Sequence, residues 1–297
     1  MKITPPIAVL TILFAVTEAT AAETPVPHHH APSITGIAAG AAEVTIHYRL
    51  YGTPAAEKPL LVLVHGWSCD SSYWREQIAA LTPDHIVLTL DLAGHGASGD
   101  GRDDYSMRSF GEDVKRVVES LPTTAPVILI GHSMGGPVSI EAARLMGSRV
   151  RAVIGADTFA SIGAPPAPAA ETAARFAFFE KDFAGTTRMF VERSFFRPDA
   201  KPEPKRWIIE DMAAGNPRVG IAAVRGLNAW DGATALRELG VPVIAINSDL
   251  TVTDEDRLRA INPKFRLHVV GGTGHFLMME EPAAFNAALR EELARLR

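Results

Sequence analysis

The chain has 297 residues, 47% of them hydrophobic and 21% charged, which is enough apolar content to bury a full core in one large domain. A formal net charge of −5, with lysines and arginines scattered along the chain, provides no basic stripe and argues against a nucleic-acid partner. The single cysteine, Cys69, rules out an internal disulfide and leaves the compartment open, since large exported domains also manage without one.

In chain order, the first 22 residues read as a secretory signal peptide. Lys2 supplies the positive start, Ile7 to Val16 the apolar run, and Ala19-Thr20-Ala21 the small-x-small cleavage site. Ten apolar-rich residues fall short of the roughly 20 that a membrane span needs, so no stable span is expected after processing and the protein is expected to be periplasmic or secreted. Residues 23–33 form a Pro- and His-containing lead-in, expected to be flexible. Its His28-His29-His30 run lacks the spacing of a built metal site, and no metal is expected.

Strands are then predicted at 34–38, 43–51, 60–64, 86–90, 127–130, 150–156, 241–246 and 265–270. Most are short Val/Ile/Leu runs without alternation, the pattern of strands buried on both faces in a mostly parallel sheet. Helices are predicted at 73–81, 107–121, 134–146, 233–239, 254–261 and 283–297. In the second of these, Phe110, Val114, Val117, Val118 and Leu121 recur at three- and four-residue spacing and define one apolar face. The first two strands have no helix between them and should pair as an antiparallel hairpin at the sheet edge. The alternation breaks at about 159–230, where two Pro/Ala-rich stretches bracket Phe-rich amphipathic segments, so an inserted helical cap is expected. Its apolar side chains (Phe176, Phe178, Phe179, Phe183, Met189, Phe190, Phe195, Phe196) pack the cap onto the main domain or line an apolar pocket.

The chemistry concentrates where the fifth strand runs into Gly131-His132-Ser133-Met134-Gly135. A strand, Gly-x-Ser-x-Gly and then a helix is the context in which a sharp turn lifts a serine hydroxyl clear of the sheet as a nucleophile. The backbone N–H of Met134, at the positive end of the following helix, is placed to receive an oxyanion.

With His65-Gly66-Trp67 after the third strand, the run Asp91 to Ser98 after the fourth and Gly274-His275-Phe276 near the C-terminus, the chain from about Ile34 to its end resembles the α/β-hydrolase superfamily. The resemblance implies an eight-stranded mostly parallel sheet with helices on both faces and an inserted cap. It implies Ser133 as nucleophile, His275 as general base and the Trp67 backbone N–H as second oxyanion donor, with His65 and His95 bracing loops. For the acid that orients His275, Asp249 after the seventh strand is the first choice, although the family's Gly and Asp spacing is altered there; Asp157, at the end of the sixth strand, is the rival. The implied activity is ester hydrolysis through an acyl-enzyme on an apolar acyl substrate, without a cofactor. The alternatives are perhydrolysis or haloperoxidation, carbon–carbon bond hydrolysis, and a non-catalytic binding role. Dehalogenase and epoxide-hydrolase chemistry are not expected, because those relatives carry an aspartate where Ser133 stands.

Overall fold

The computed structural model describes residues 33–52 and 58–296. The expected signal peptide and nearly all of the lead-in therefore lie outside the described residues.

Among the described residues, eight strands, β1 (Ser33–Ala39), β2 (Thr45–Tyr51), β3 (Leu60–Val64), β4 (Ile86–Leu90), β5 (Val127–His132), β6 (Val150–Ala156), β7 (Val243–Ser248) and β8 (Phe265–Val270), form one sheet in the order β1-β2-β4-β3-β5-β6-β7-β8. The expected hairpin is present: β1 pairs antiparallel with β2 at the edge, and β2 pairs antiparallel with β4. From β4 onward every pairing is parallel. The unbroken apolar runs have the predicted cause, since every residue of β3, β4, β5 and β7 is buried.

The crossovers are helical. They comprise α1 (Arg75–Leu81), α2 (Met107–Ser120) and α3 (Gly135–Met146), then four helices between β6 and β7, namely α4 (Ala169–Lys181), α5 (Phe183–Ser194), α6 (Pro202–Ala213) and α7 (Pro217–Ala229). After them come α8 (Gly232–Glu238), α9 (Glu255–Ile261), a single turn α10 (Leu277–Glu280) and α11 (Pro282–Arg295). Helix α2 packs on α3 and α3 on α8, while α1 packs on α10 and α11, so the sheet is covered by two helical layers. The apolar face of α2 is buried as its spacing demands, with Phe110, Val114, Val117 and Val118 fully inaccessible.

Two of the four inserted helices have capped starts that the sequence explains. Asp182 caps α5 through Gly185 N–H, and Asn216 caps α7, where Pro217 takes the first helical position. Among the insertion's large apolar residues, Phe176, Phe179, Phe183 and Phe196 are buried, whereas Phe178 and Met189 face solvent. Strand β7 is displaced: it lies two residues later than predicted, because Pro242 has no N–H for the ladder and the pairing starts at Val243. This carries Ser248 into the strand.

Candidate active site

The sheet register brings the chemistry together. Parallel strands β5 and β6 pair His132 with Ala156, so the residues one step beyond, Ser133 and Asp157, emerge side by side at the carboxyl ends of adjacent strands. Both adopt left-handed backbone, φ 51° at Ser133 and 46° at Asp157, a strained conformation for non-glycine residues and a mark of sites held by their surroundings. The turn at Ser133 is fixed from both sides. Its N–H donates to Ala156 O (3.0 Å), and its carbonyl accepts from Gly136 N–H (2.9 Å) and the Thr158 hydroxyl (2.8 Å). A side chain at Gly131 would overlap the Gly135 backbone, and one at Gly135 would overlap the Val64 carbonyl, which is why the turn requires glycine at these two places.

His275 follows β8, and its Nδ1 lies 2.6 Å from Asp157 Oδ2. The other oxygen, Asp157 Oδ1, accepts from the backbone N–H and the hydroxyl of Ser248, each at 2.8 Å. Burial pushes the Asp157 carboxyl up. The hydrogen bond and charge of His275 and the two bonds from Ser248 outweigh that and hold it below the usual 3.8. A carboxylate lowered in the folded state contributes stability that is present above its unfolded value and is lost as pH falls through the folded value, so Asp157 stays ionised at neutral and mildly acidic pH.

The first choice of acid is therefore corrected. Asp249 does not touch His275. Its Oδ1 accepts from Gly272 N–H (2.9 Å) and Arg197 Nη1 (3.1 Å), and its side chain is 43% exposed. The cause is the late placement of β7: with Ser248 in the strand and bonded to Asp157, the next residue turns outward, onto the loop that carries His275.

The expected oxyanion donors lie beside the serine. A Cβ on Gly66 would meet Ser133 Cβ at 3.2 Å, so the Gly66-Trp67 turn runs against Ser133. Among the described residues, no hydrogen bond occupies the N–H of Trp67 or of Met134. The Trp67 indole instead ties this turn to the insertion: its Nε1 donates to Gly220 O (2.8 Å) in α7, and its ring meets Phe179 and Phe183 edge-on. His65 and His95 brace loops as expected. His65 Nδ1 donates to Gly66 O (2.8 Å) while its Nε2 accepts Leu92 N–H (2.9 Å), and His95 Nδ1 donates to Ala93 O (3.0 Å). Burial pushes both down, His95 to about 3, so both remain neutral.

Sequence reasoning missed the groups that hold the loop carrying His275. Glu280 Oε2 accepts from Gly274 N–H and Oε1 from Phe276 N–H, both at 3.1 Å, one on each side of His275. The His275 N–H donates to Phe195 O (2.7 Å), whose ring also stacks on the imidazole at 4.2 Å between centroids. The His275 carbonyl accepts from His132 Nε2 (3.0 Å), on the residue before Ser133. Burial, with the charge of His275 next, pushes His132 down to about 3, so it is neutral and carries its proton on Nε2. The only local signal for any of these was the position of Glu280 five residues after His275. Glu280→Gln can accept one of the two N–H groups but presents an amide N–H to the other. Because a misplacement of about 1 Å costs up to about 100-fold in rate, kcat is expected to fall by roughly 10- to 100-fold with the far-UV spectrum unchanged.

Ser133, Met134, Asp157 and His275 open on one cleft of about 1200 Å³, walled by residues 159–169, α4, α7 and Phe195. Of the insertion's aromatic residues, Phe159, Phe176, Phe195 and Trp230 line it.

The model of the Alpha/beta hydrolase family matches residues 61–288. The chain belongs to that family. Among similar proteins, the putative carbamate hydrolase RutD of Pseudomonas savastanoi pv. phaseolicola is 42% identical over 91 residues, 30% of this chain and 35% of its own length, so the chain spans about a third of that relative. The pimeloyl-[acyl-carrier protein] methyl ester esterase of Vibrio atlanticus is 25% identical over 257 residues, covering 81% of this chain and 96% of the relative. The crystal structure of the enol-lactonase from Burkholderia xenovorans superimposes with a TM-score of 0.76 at 23% identity, over 87% of this chain and 100% of that one, a likeness of fold.

Proposed function

We propose that this hydrolase is a serine esterase that cleaves carboxylic esters through an acyl-enzyme on Ser133. The observation that carries the reading is the 2.6 Å contact between His275 Nδ1 and the partly buried Asp157 carboxylate, in a cleft shared with Ser133 on its strained turn. Asp157 holds the imidazole in the tautomer that leaves Nε2 unprotonated and stabilises the imidazolium that forms later. His275 Nε2 takes the proton of the Ser133 hydroxyl as Oγ bonds to the ester carbonyl carbon. The Met134 and Trp67 N–H groups receive the oxyanion, each donor being worth about 3 kcal/mol in such sites. As the tetrahedral adduct collapses, the carbon–oxygen bond to the alcohol breaks and His275 gives its proton to that oxygen. Water then attacks the acyl-enzyme, His275 takes one of its protons, and Ser133 recovers it as the acid departs. No step requires a metal or a cofactor.

The esterase among the relatives supports ester cleavage, and the width of the cleft suits a bulky apolar acyl group. The test is steady-state hydrolysis of p-nitrophenyl esters of rising acyl length by the chelated, cofactor-free protein. Turnover with an optimum at intermediate length supports the reading, and absence of turnover across the series contradicts it. Residues 1–22 are proposed to direct export. N-terminal sequencing of protein from the periplasmic and culture fractions should then begin near Ala22, whereas full-length protein confined to the cytosol would contradict export.

A further inference from the structure

The cleft does not end at the catalytic groups; it continues between α4 and α7 to Arg175, Arg225 and Asn228. Its charged and titratable lining side chains are Asp157, His275, Asp231, Arg225 and Arg175. Four of them are already engaged. Asp157 and His275 hold each other; Asp231 accepts Thr234 N–H (3.0 Å) at the start of α8; Arg225 pairs with Glu180 and lies over the Phe176 ring at 4.5 Å. Arg175 differs. Among the described residues it has no ion pair, and its one hydrogen bond, from Nη2 to Asn228 Oδ1, is long at 3.4 Å. Glu171, one helical turn before it on α4, does not pair with it, and Glu180 on the same helix is taken by Arg225. On a chain with a net charge of −5, the far end of an otherwise largely apolar cleft thus presents a cation without a counter-ion.

We propose that the Arg175–Asn228 end of the cleft is a subsite for a carboxylate, so that the substrate is an ester whose apolar body ends in an anionic tail. This rests on the esterase reading above. A guanidinium presents a planar fork of N–H donors that matches a carboxylate, and Asn228 adds an amide N–H beside it. Apolar residues lining the same cleft, among them Ile162, Pro165, Phe176 and Leu227, accommodate the hydrocarbon body. Because Arg175 is exposed, the attraction is screened by salt, and it governs selection among esters without taking part in bond cleavage.

The experiment measures kcat/KM for two matched pairs of p-nitrophenyl-type esters, in which a tail carboxylate replaces a methyl group at the same length. One pair carries it on the acyl chain and the other on the alcohol. In wild type, at least one pair is expected to favour the anionic member by about fivefold at low salt, the scale of an exposed charge pair. That ratio should fall toward one in Arg175→Gln, invert in Arg175→Glu, and shrink with added salt. Arg188→Gln, on α5 outside the cleft, should keep the wild-type ratio. Hydrolysis of all four esters without charge preference, or a preference that survives Arg175→Gln, overturns the subsite and leaves the esterase reading standing. Failure to hydrolyse any of them, with no fluorophosphonate adduct on Ser133, overturns both.

Discussion

Asp157→Asn is expected to lower kcat/KM by about 10,000-fold, whereas Asp249→Asn should leave it within about tenfold of wild type. The asymmetry comes from what each carboxylate touches. Asp157 Oδ2 faces His275 Nδ1 at 2.6 Å, and its Oδ1 is held by both groups of Ser248. Those two Ser248 bonds fix which oxygen meets the imidazole. An asparagine there keeps Oδ1 for Ser248 and turns its amide N–H toward Nδ1, so His275 must carry its proton on Nε2, where it no longer accepts one from Ser133. Asp249 anchors the base loop only through Gly272 N–H and Arg197, half in solvent. An asparagine retains an acceptor for Gly272 and weakens the ion pair, whose exposed geometry limits its contribution to at most about 1 kcal/mol. Kinetics of both variants, each checked by circular dichroism, separate the two carboxylates.

The second large effect is at the nucleophile. Ser133→Ala should reduce kcat by about a million-fold, and the Ser133→Ala/His275→Ala double variant should be no worse than either single one. The base has nothing to deprotonate once the hydroxyl is gone, so the two substitutions remove one unit rather than two independent contributions. The residual rate would come from the Trp67 and Met134 N–H groups and from binding in the cleft. Ser133→Ala is also expected to retain stability, since the backbone bonds of the turn to Ala156, Gly136 and Thr158 involve no atom of the serine hydroxyl. Additive losses in the double variant would mean that Ser133 and His275 do not act on the same proton.

Much of the fold was legible because burial imposes local patterns. The β3, β4 and β5 runs are largely apolar and buried at every position because both faces are covered, and α2 shows its apolar stripe because one face is. Ser133 was legible for a related reason: a strand, a glycine-flanked serine and a helix are contiguous in sequence. The acid was not, because its identity depends on strand register. Asp157 and Asp249 each stand one residue past a parallel strand, and contacts between separate strands and loops, Ser248 on Asp157 and Gly272 on Asp249, decide which one faces His275. The residues that hold the base loop were hidden for the same physical reason. Phe195 reaches His275 from the inserted segment and His132 from the end of β5, contacts between segments 80 and 143 positions apart that no local spacing encodes.

The most direct measurement is peptide mapping by mass spectrometry after reaction of the wild-type protein with a fluorophosphonate, compared with Asp157→Asn. Stoichiometric phosphonylation of Ser133 in wild type, slowed by orders of magnitude in Asp157→Asn, is the expected result. An unmodified Ser133, or a rate of labelling that does not depend on Asp157, would contradict a nucleophile activated through His275 and Asp157.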